Sequence, residues 1–219
     1  MDFSSPWPLL AIGLLLVLTP VPLLFPGNVK YRTIENLEIT LRNRSWWRMW
    51  RNVLYMRGHW IELARAYVGM RCLVSALELI RKSGTYPAFS SAWMVTGIAL
   101  FVGILALGLM IGAFRPTEGA FAPVAFVSAA ICAVVPLQVT SPALILAISS
   151  MVAFKSLAAF FSMLALGLAA LVPLFGKGTI VGAISASFAA TPVMIAFLMH
   201  RQMVISVRQS KSDRPDTPR

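Results

Sequence analysis

Acidic side chains are scarce. The 219 residues hold eight Asp or Glu against nineteen Lys or Arg, a formal net charge of +11, and no acidic residue falls inside the long apolar stretches. This argues against proton-coupled transporters and intramembrane hydrolases, which place carboxylates within the bilayer. Cysteine and histidine are equally rare. Cys72 and Cys132 allow no disulfide framework, while His59 and His200 lie far apart in the chain and lack companion metal ligands. The chain contains no H-E-x-x-H, no G-x-S-x-G and no phosphate-binding glycine loop. No catalytic residue, metal site or cofactor is therefore expected.

Charge as a whole is thin. Only 12 % of residues are charged, against about 25 % in ordinary soluble domains, while 58 % are hydrophobic and the mean hydropathy is +0.77. These values point to an integral membrane protein. Seventeen of the nineteen basic residues lie in Lys30–Lys82, at Lys155 or in Arg201–Arg219, beside apolar runs. That placement suits contact with anionic lipid headgroups and does not suggest nucleic acid.

The apolar run from Trp7 to Phe25 has no basic residue before it and no cleavage pattern after it, so it reads as a retained span rather than a signal peptide. Pro20 and Pro22 should bend or shorten its inner end. Asp2 before it and Lys30 and Arg32 after it place the N-terminus outside. Residues 26–87 follow as a basic cytoplasmic region of amphipathic helices. Between Arg44 and Arg65 the residues Arg44, Arg48, Arg51, Tyr55, Gly58, Glu62 and Arg65 form a polar stripe, with Trp46, Trp50, Val53, Trp60, Ala64 and Tyr67 opposite. The phase slips near Gly69, which predicts either two helices or one bent helix.

Residues 88–200 read as a bundle of about four further spans: Ala92–Phe114, Ala120–Leu137, Ser156–Gly176 and Gly178–Met199, each near the roughly 20 residues that cross hydrocarbon. Val139–Phe154 is assigned to a re-entrant or interfacial helix. A sixth crossing there would carry the basic tail outside, whereas five leave it cytoplasmic. Arg115, Glu118 and Lys177 then face outward, and residues 201–219 form a disordered basic tail. The fold class expected is an all-α polytopic bundle of about five transmembrane helices, N-terminus outside and C-terminus cytoplasmic, in a bacterial inner membrane.

Three sets of residues could carry function. Gly178, Gly182, Ala186 and Ala190 repeat every four residues, and Gly108 and Gly112 offer a shorter version. Such faces let helix backbones approach closely, within the chain or against other membrane proteins. Arg44, Trp46, Trp47, Arg48, Trp50 and Arg51 have the composition of a lipid or partner contact at the interface. Gln138, Thr140 and Ser141, in a break bounded by Pro136 and Pro142, together with Lys155, are the candidate intramembrane polar site. The first set favours a non-enzymatic structural, accessory or assembly subunit, and the third a small-solute or ion transporter. The layout of five spans, a cytoplasmic helical region after the first and a basic tail resembles that of membrane insertases, which implies a role in membrane-protein biogenesis. Those proteins place a charged residue in a membrane groove, and the first span here carries none.

Overall fold

A computed structural model describes residues 5–19, 29–32, 57–84, 91–113, 120–176 and 178–208. Within them lie seven helices: α1 (Pro6–Leu18), α2 (Arg57–Ser83), α3 (Ala92–Ala113), α4 (Val124–Val134), α5 (Leu137–Phe154), α6 (Leu157–Leu174) and α7 (Thr179–Leu198). Three short strands complete the set: β1 (Val29–Arg32), β2 (Ala120–Phe121) and β3 (Met203–Arg208). Four of the helices, α3, α5, α6 and α7, are long and apolar enough to cross a membrane, while α1 and α4 are shorter apolar helices. Bulky side chains such as Leu15, Phe101, Ile145, Leu166 and Phe197 stand exposed on the outer faces. Soluble proteins rarely leave so much apolar surface in water. The chain is a mostly helical, membrane-type bundle.

Close approaches between helices fix the arrangement. Helix α1 starts on Pro6, whose missing N–H costs nothing there, and ends one residue before Thr19, whose hydroxyl donates to the Leu15 carbonyl at 2.6 Å. Its Gly13 lies on Leu73 and Gly69 of α2, and Gly69 in turn lies on Leu16 and Val17. Later residues of α1 thus meet earlier residues of α2, so the two helices run antiparallel. Helices α5 and α6 form a second antiparallel pair, with Gly167 on Ala143. A third pair, α6 and α7, closes with Gly182 on Pro173. Helix α7 runs parallel to α3, since Gly97 faces Ile184 and Gly103 faces Phe188.

These directions collect the strands at one end. β3 lies in the centre of a three-stranded sheet, antiparallel to β1 and parallel to β2. The ladder places Val29 opposite Arg208 and Ala120 opposite Met203, and the Ala120 and Ala122 amides donate to the Gln202 and Val204 carbonyls at 2.8 and 2.9 Å. The C-termini of α1, α3, α5 and α7 and the N-termini of α2, α4 and α6 therefore share that end. Ser83 and the turn at Phe175–Gly176 lie at the opposite one.

Several sequence expectations change. The segment assigned to an outer loop, Arg115 to Glu118, is followed at once by a strand that pairs with the start of the C-terminal strand, so the end of α3 and the end of α7 belong to one side. Ala120–Leu137, expected to be a span, holds an 11-residue helix of about 16 Å, stopped by extended Val135 and by Pro136. Val139–Phe154, expected to be re-entrant, belongs to the full-length helix α5, which pairs along its length with α6. Residues 201–219 were expected to be disordered, yet Met203–Arg208 forms β3, where Val204, Ile205 and Val207 supply β-branched strand formers. The remainder of the tail, from Gln209, lies outside the described residues.

The largest change concerns α2. It is one continuous 27-residue helix with no break at Gly69. Glu62, Arg65, Ala66, Gly69, Met70, Leu73, Ala76, Leu77 and Ile80 are buried in a single stripe. Trp60, Ala64 and Tyr67, expected on the apolar side, are exposed. The helix packs lengthwise against α1 and α4 and also touches α3, so its second half is part of the bundle rather than a surface element. The small residues of the stripe explain the choice of face. Gly69 admits the α1 backbone at this distance, and the polar residues one and two turns earlier on the same stripe are carried inward with it.

Candidate functional site

At the strand-bearing end, α2 brings two charged side chains into the interior. Glu62 is 4 % exposed and Arg65 7 %, one turn apart on the stripe that faces α1. Arg65 Nη1 donates to the carbonyls of Leu16 and Thr19, and to that of Val17 at 3.3 Å. These are carbonyls that the last turn of a helix leaves without intrahelical partners. A guanidinium there also meets the negative end of the helix dipole. The same group lies 5.8 Å from the Phe126 ring centroid on α4, and Nη2 is 3.9 Å from the Met110 sulfur on α3. One side chain thus ties α1, α2, α3 and α4 together. Glu62 Oε1 and Arg65 Nε have no hydrogen-bond partner among the described residues.

A second feature opens at the same end. A cavity of about 530 Å³ lies between the α5–α6 turn and the α7–β3 turn. Lys155 and Arg201 line it, with Ser156 and Gln202, above a floor that includes Leu157 and Phe197. Its walls are held by unusual backbone. Lys155 ends α5 with φ 51°, and His200 ends α7 with φ 50°, a left-handed conformation that glycine adopts freely and other residues adopt at a cost of roughly 1–2 kcal/mol. At the second turn, the His200 and Arg201 amides donate to the Phe197 and Ala196 carbonyls at 3.0 and 3.1 Å, the two hydrogen bonds of a Schellman cap. Ser150 fastens the first turn by donating to the carbonyls of Ala147 at 2.9 Å and Ala159 at 3.0 Å. The arrangement is a basic rim over an apolar cleft.

The residues singled out by sequence are dispersed. Thr140 is buried and its hydroxyl donates to the Pro136 carbonyl at 3.1 Å, while Ser141 donates to Leu137 at 2.8 Å. Both serve the start of their own helix. Gln138 is exposed. Lys155 caps the opposite end of α5, about 20 Å away at 1.5 Å per residue, so the break and the lysine do not form one site. Of the four-residue stripe on α7, Gly182 is buried against α6, Ala186 and Ala190 are half-buried and Gly178 is exposed. Gly108 and Gly112 face open space. Arg44, Trp46, Trp47, Arg48, Trp50 and Arg51 lie outside the described residues, as does Lys177.

Sequence reading missed Glu62 and Arg65 as interior residues. Their three-residue spacing is that of any solvated stripe, and the signal that separates the two cases is the continuation of the same stripe into Gly69, Met70 and Leu73. Comparison with known proteins gave no matching family model, no matching curated protein and no matching solved structure.

Proposed function

We propose that the chain is a non-enzymatic integral membrane protein, an accessory or assembly subunit that docks another membrane helix on the outer face of α3. The observation that carries this reading is a contrast among glycines. A Cβ added at Gly13, Gly69, Gly103, Gly167 or Gly182 would meet a neighbouring helix at 3.3 Å or less, whereas one added at Gly108 or Gly112 would meet nothing within 4 Å. Glycine in a helix interior costs about 0.5–1 kcal/mol relative to alanine, and at five positions close packing inside the chain offsets that cost. At Gly108 and Gly112 the described residues supply no compensation. Exposed Phe101, Leu105 and Leu109 continue the same face, and glycines four apart beside bulky apolar residues form the surface on which membrane helices pair.

The experiment is affinity capture from native membranes in mild detergent. The wild-type chain should bring a defined set of membrane proteins in fixed stoichiometry. Gly108→Leu combined with Gly112→Leu should release them without lowering the amount of chain recovered. Recovery of the wild-type chain alone would refute the reading.

The orientation belongs to the same proposal. Fourteen of the nineteen basic residues fall in or beside the segments attached to the strand-bearing end, and three, Arg81, Lys82 and Lys177, in those attached to the other. By the positive-inside rule the strand-bearing end is cytoplasmic. Seven passes between the two ends preserve the odd parity, so the N-terminus stays outside and the C-terminus inside, in a bacterial inner membrane. Trp7 and Trp93, exposed at the starts of α1 and α3, then mark the outer interface, where indole rings concentrate.

Five spans and seven passes differ at Gly84. With Cys72 and Cys132 replaced by serine, a cysteine at Gly84 should react with a membrane-impermeant maleimide added to intact cells, and one at Gln202 only after lysis. Protection of Gly84→Cys in intact cells would restore the cytoplasmic assignment of residues 26–87.

A further inference from the structure

We propose that the cavity between the α5–α6 and α7–β3 turns binds the phosphate of one anionic amphiphile, held by Lys155 and Arg201 with its acyl portion along the apolar floor. This site is independent of the α3 face and does not rest on the docking reading. Its volume of about 530 Å³ falls within the roughly 300–1,000 Å³ of small-molecule sites. Two cations from separate turns, Lys155 and Arg201, line one opening. The first turn of α6 forms part of the wall. Its N-cap Ser156 makes no side-chain capping bond, so the amides at that helix start add to a field that favours an anion.

The apolar side of the cleft decides between kinds of ligand. Leu157, Val193 and Phe197 continue from the rim into the groove between α6 and α7, and Phe197 and Leu198 stand exposed beside it. A free inorganic anion would leave that surface uncovered. A phospholipid would cover it while its phosphate meets the rim. The two left-handed residues, Lys155 and His200, fix the backbone on both sides of the opening. Strain of this kind concentrates at ligand sites, where the surrounding structure holds it in place.

The test uses the full chain, purified in a mild detergent and examined by native mass spectrometry. Phosphatidylglycerol, phosphatidylcholine of matched acyl length and inorganic phosphate are the probes. One phosphatidylglycerol per chain should be retained in preference to phosphatidylcholine. Lys155→Gln with Arg201→Gln should lower phosphatidylglycerol retention about twenty- to thirtyfold, the effect of two cations facing one headgroup. Lys155→Arg with Arg201→Lys should keep the preference. Ala158→Phe, which leaves both cations in place and fills the cleft, should weaken retention of both lipids. Millimolar phosphate should not displace phosphatidylglycerol. Equal retention of the two lipids by the wild type, an unchanged preference in the double glutamine variant, or no effect of Ala158→Phe would overturn the proposal. Displacement by inorganic phosphate would overturn it too, by showing a site for a soluble anion.

Discussion

Replacing Arg65 with methionine should destabilise the purified chain by about 3–5 kcal/mol, the scale of removing one of two opposite charges buried one turn apart. Three effects act in the same direction. The carbonyls of Leu16, Val17 and Thr19 lose a charged donor, and charge-assisted bonds contribute about 1.5–3 kcal/mol each. The Phe126 face loses its cation. Glu62, 4 % exposed, is left without the positive charge beside it. The last effect is separable. Adding Glu62→Gln to Arg65→Met should recover a large part of the loss, because the remaining amide no longer buries a charge. Arg65→Lys should fall between, since an ammonium keeps the charge but cannot fork towards several carbonyls at once. The measurement is denaturant-induced unfolding in detergent for the wild type, Arg65→Met, Glu62→Gln and the double variant, read as a double-mutant cycle, with Arg65→Lys beside them. Strictly additive losses would show that the two side chains act separately.

How much of this was legible in the sequence depends on the element. Helices α3, α6 and α7 follow directly from uniform apolar runs of bilayer length, bounded by polar or Gly-containing segments. Helix α2 does not. Its stripe mixes Glu62 and Arg65 with Gly69, Met70 and Leu73, and a helix of such mixed character is read as lying on a surface unless a partner for the charges is known. For Arg65 the partner is the carbonyl end of α1, a backbone feature that no residue identity announces. With α2 in the bundle, α3 and α4 run opposite to the direction the sequence suggests, and α5, as a further full-length helix, restores the expected direction of α6 and α7. The re-entrant or interfacial assignment of Val139–Phe154 follows from the same source. With α2 left out, parity required one segment fewer, and the one with internal Pro142 and several hydroxyls was the natural choice to remove. The basic cavity has no sequence signature either. Lys155 and Arg201 are 46 positions apart, and they come together only because α6 and α7 form a hairpin that returns the chain to its starting end.

The same Gly→Ala substitution should change sign across this chain, because the α1–α2 contact is backbone against backbone. A Cβ at Gly13 would stand 2.8 Å from Leu73 Cγ, 2.9 Å from the Leu73 amide nitrogen and 3.0 Å from the Gly69 carbonyl oxygen. The last two atoms cannot turn aside. One helix must move away from the other, and overpacking of this kind costs about 1–3 kcal/mol. Gly69→Ala, at 2.8 Å from Val17 Cγ2 and 3.0 Å from Leu16 Cβ, should cost nearly as much. At Gly103 the close atom is the edge of the Phe188 ring at 2.7 Å, on a buried side chain whose displacement is resisted by its own packing. Gly108→Ala meets nothing and should stabilise the isolated chain by up to about 1 kcal/mol through helix propensity alone. Unfolding midpoints of the four variants in one detergent test the order. A further consequence links the two sites. Gly13→Ala pushes α1 off α2 and so draws the Leu16, Val17 and Thr19 carbonyls away from Arg65, which means that combining it with Arg65→Met should cost less than the sum of the two. Additivity there would mean that α1 can shift while its C-terminal carbonyls stay bound, and the clamp would then hold the end of the helix without holding its length.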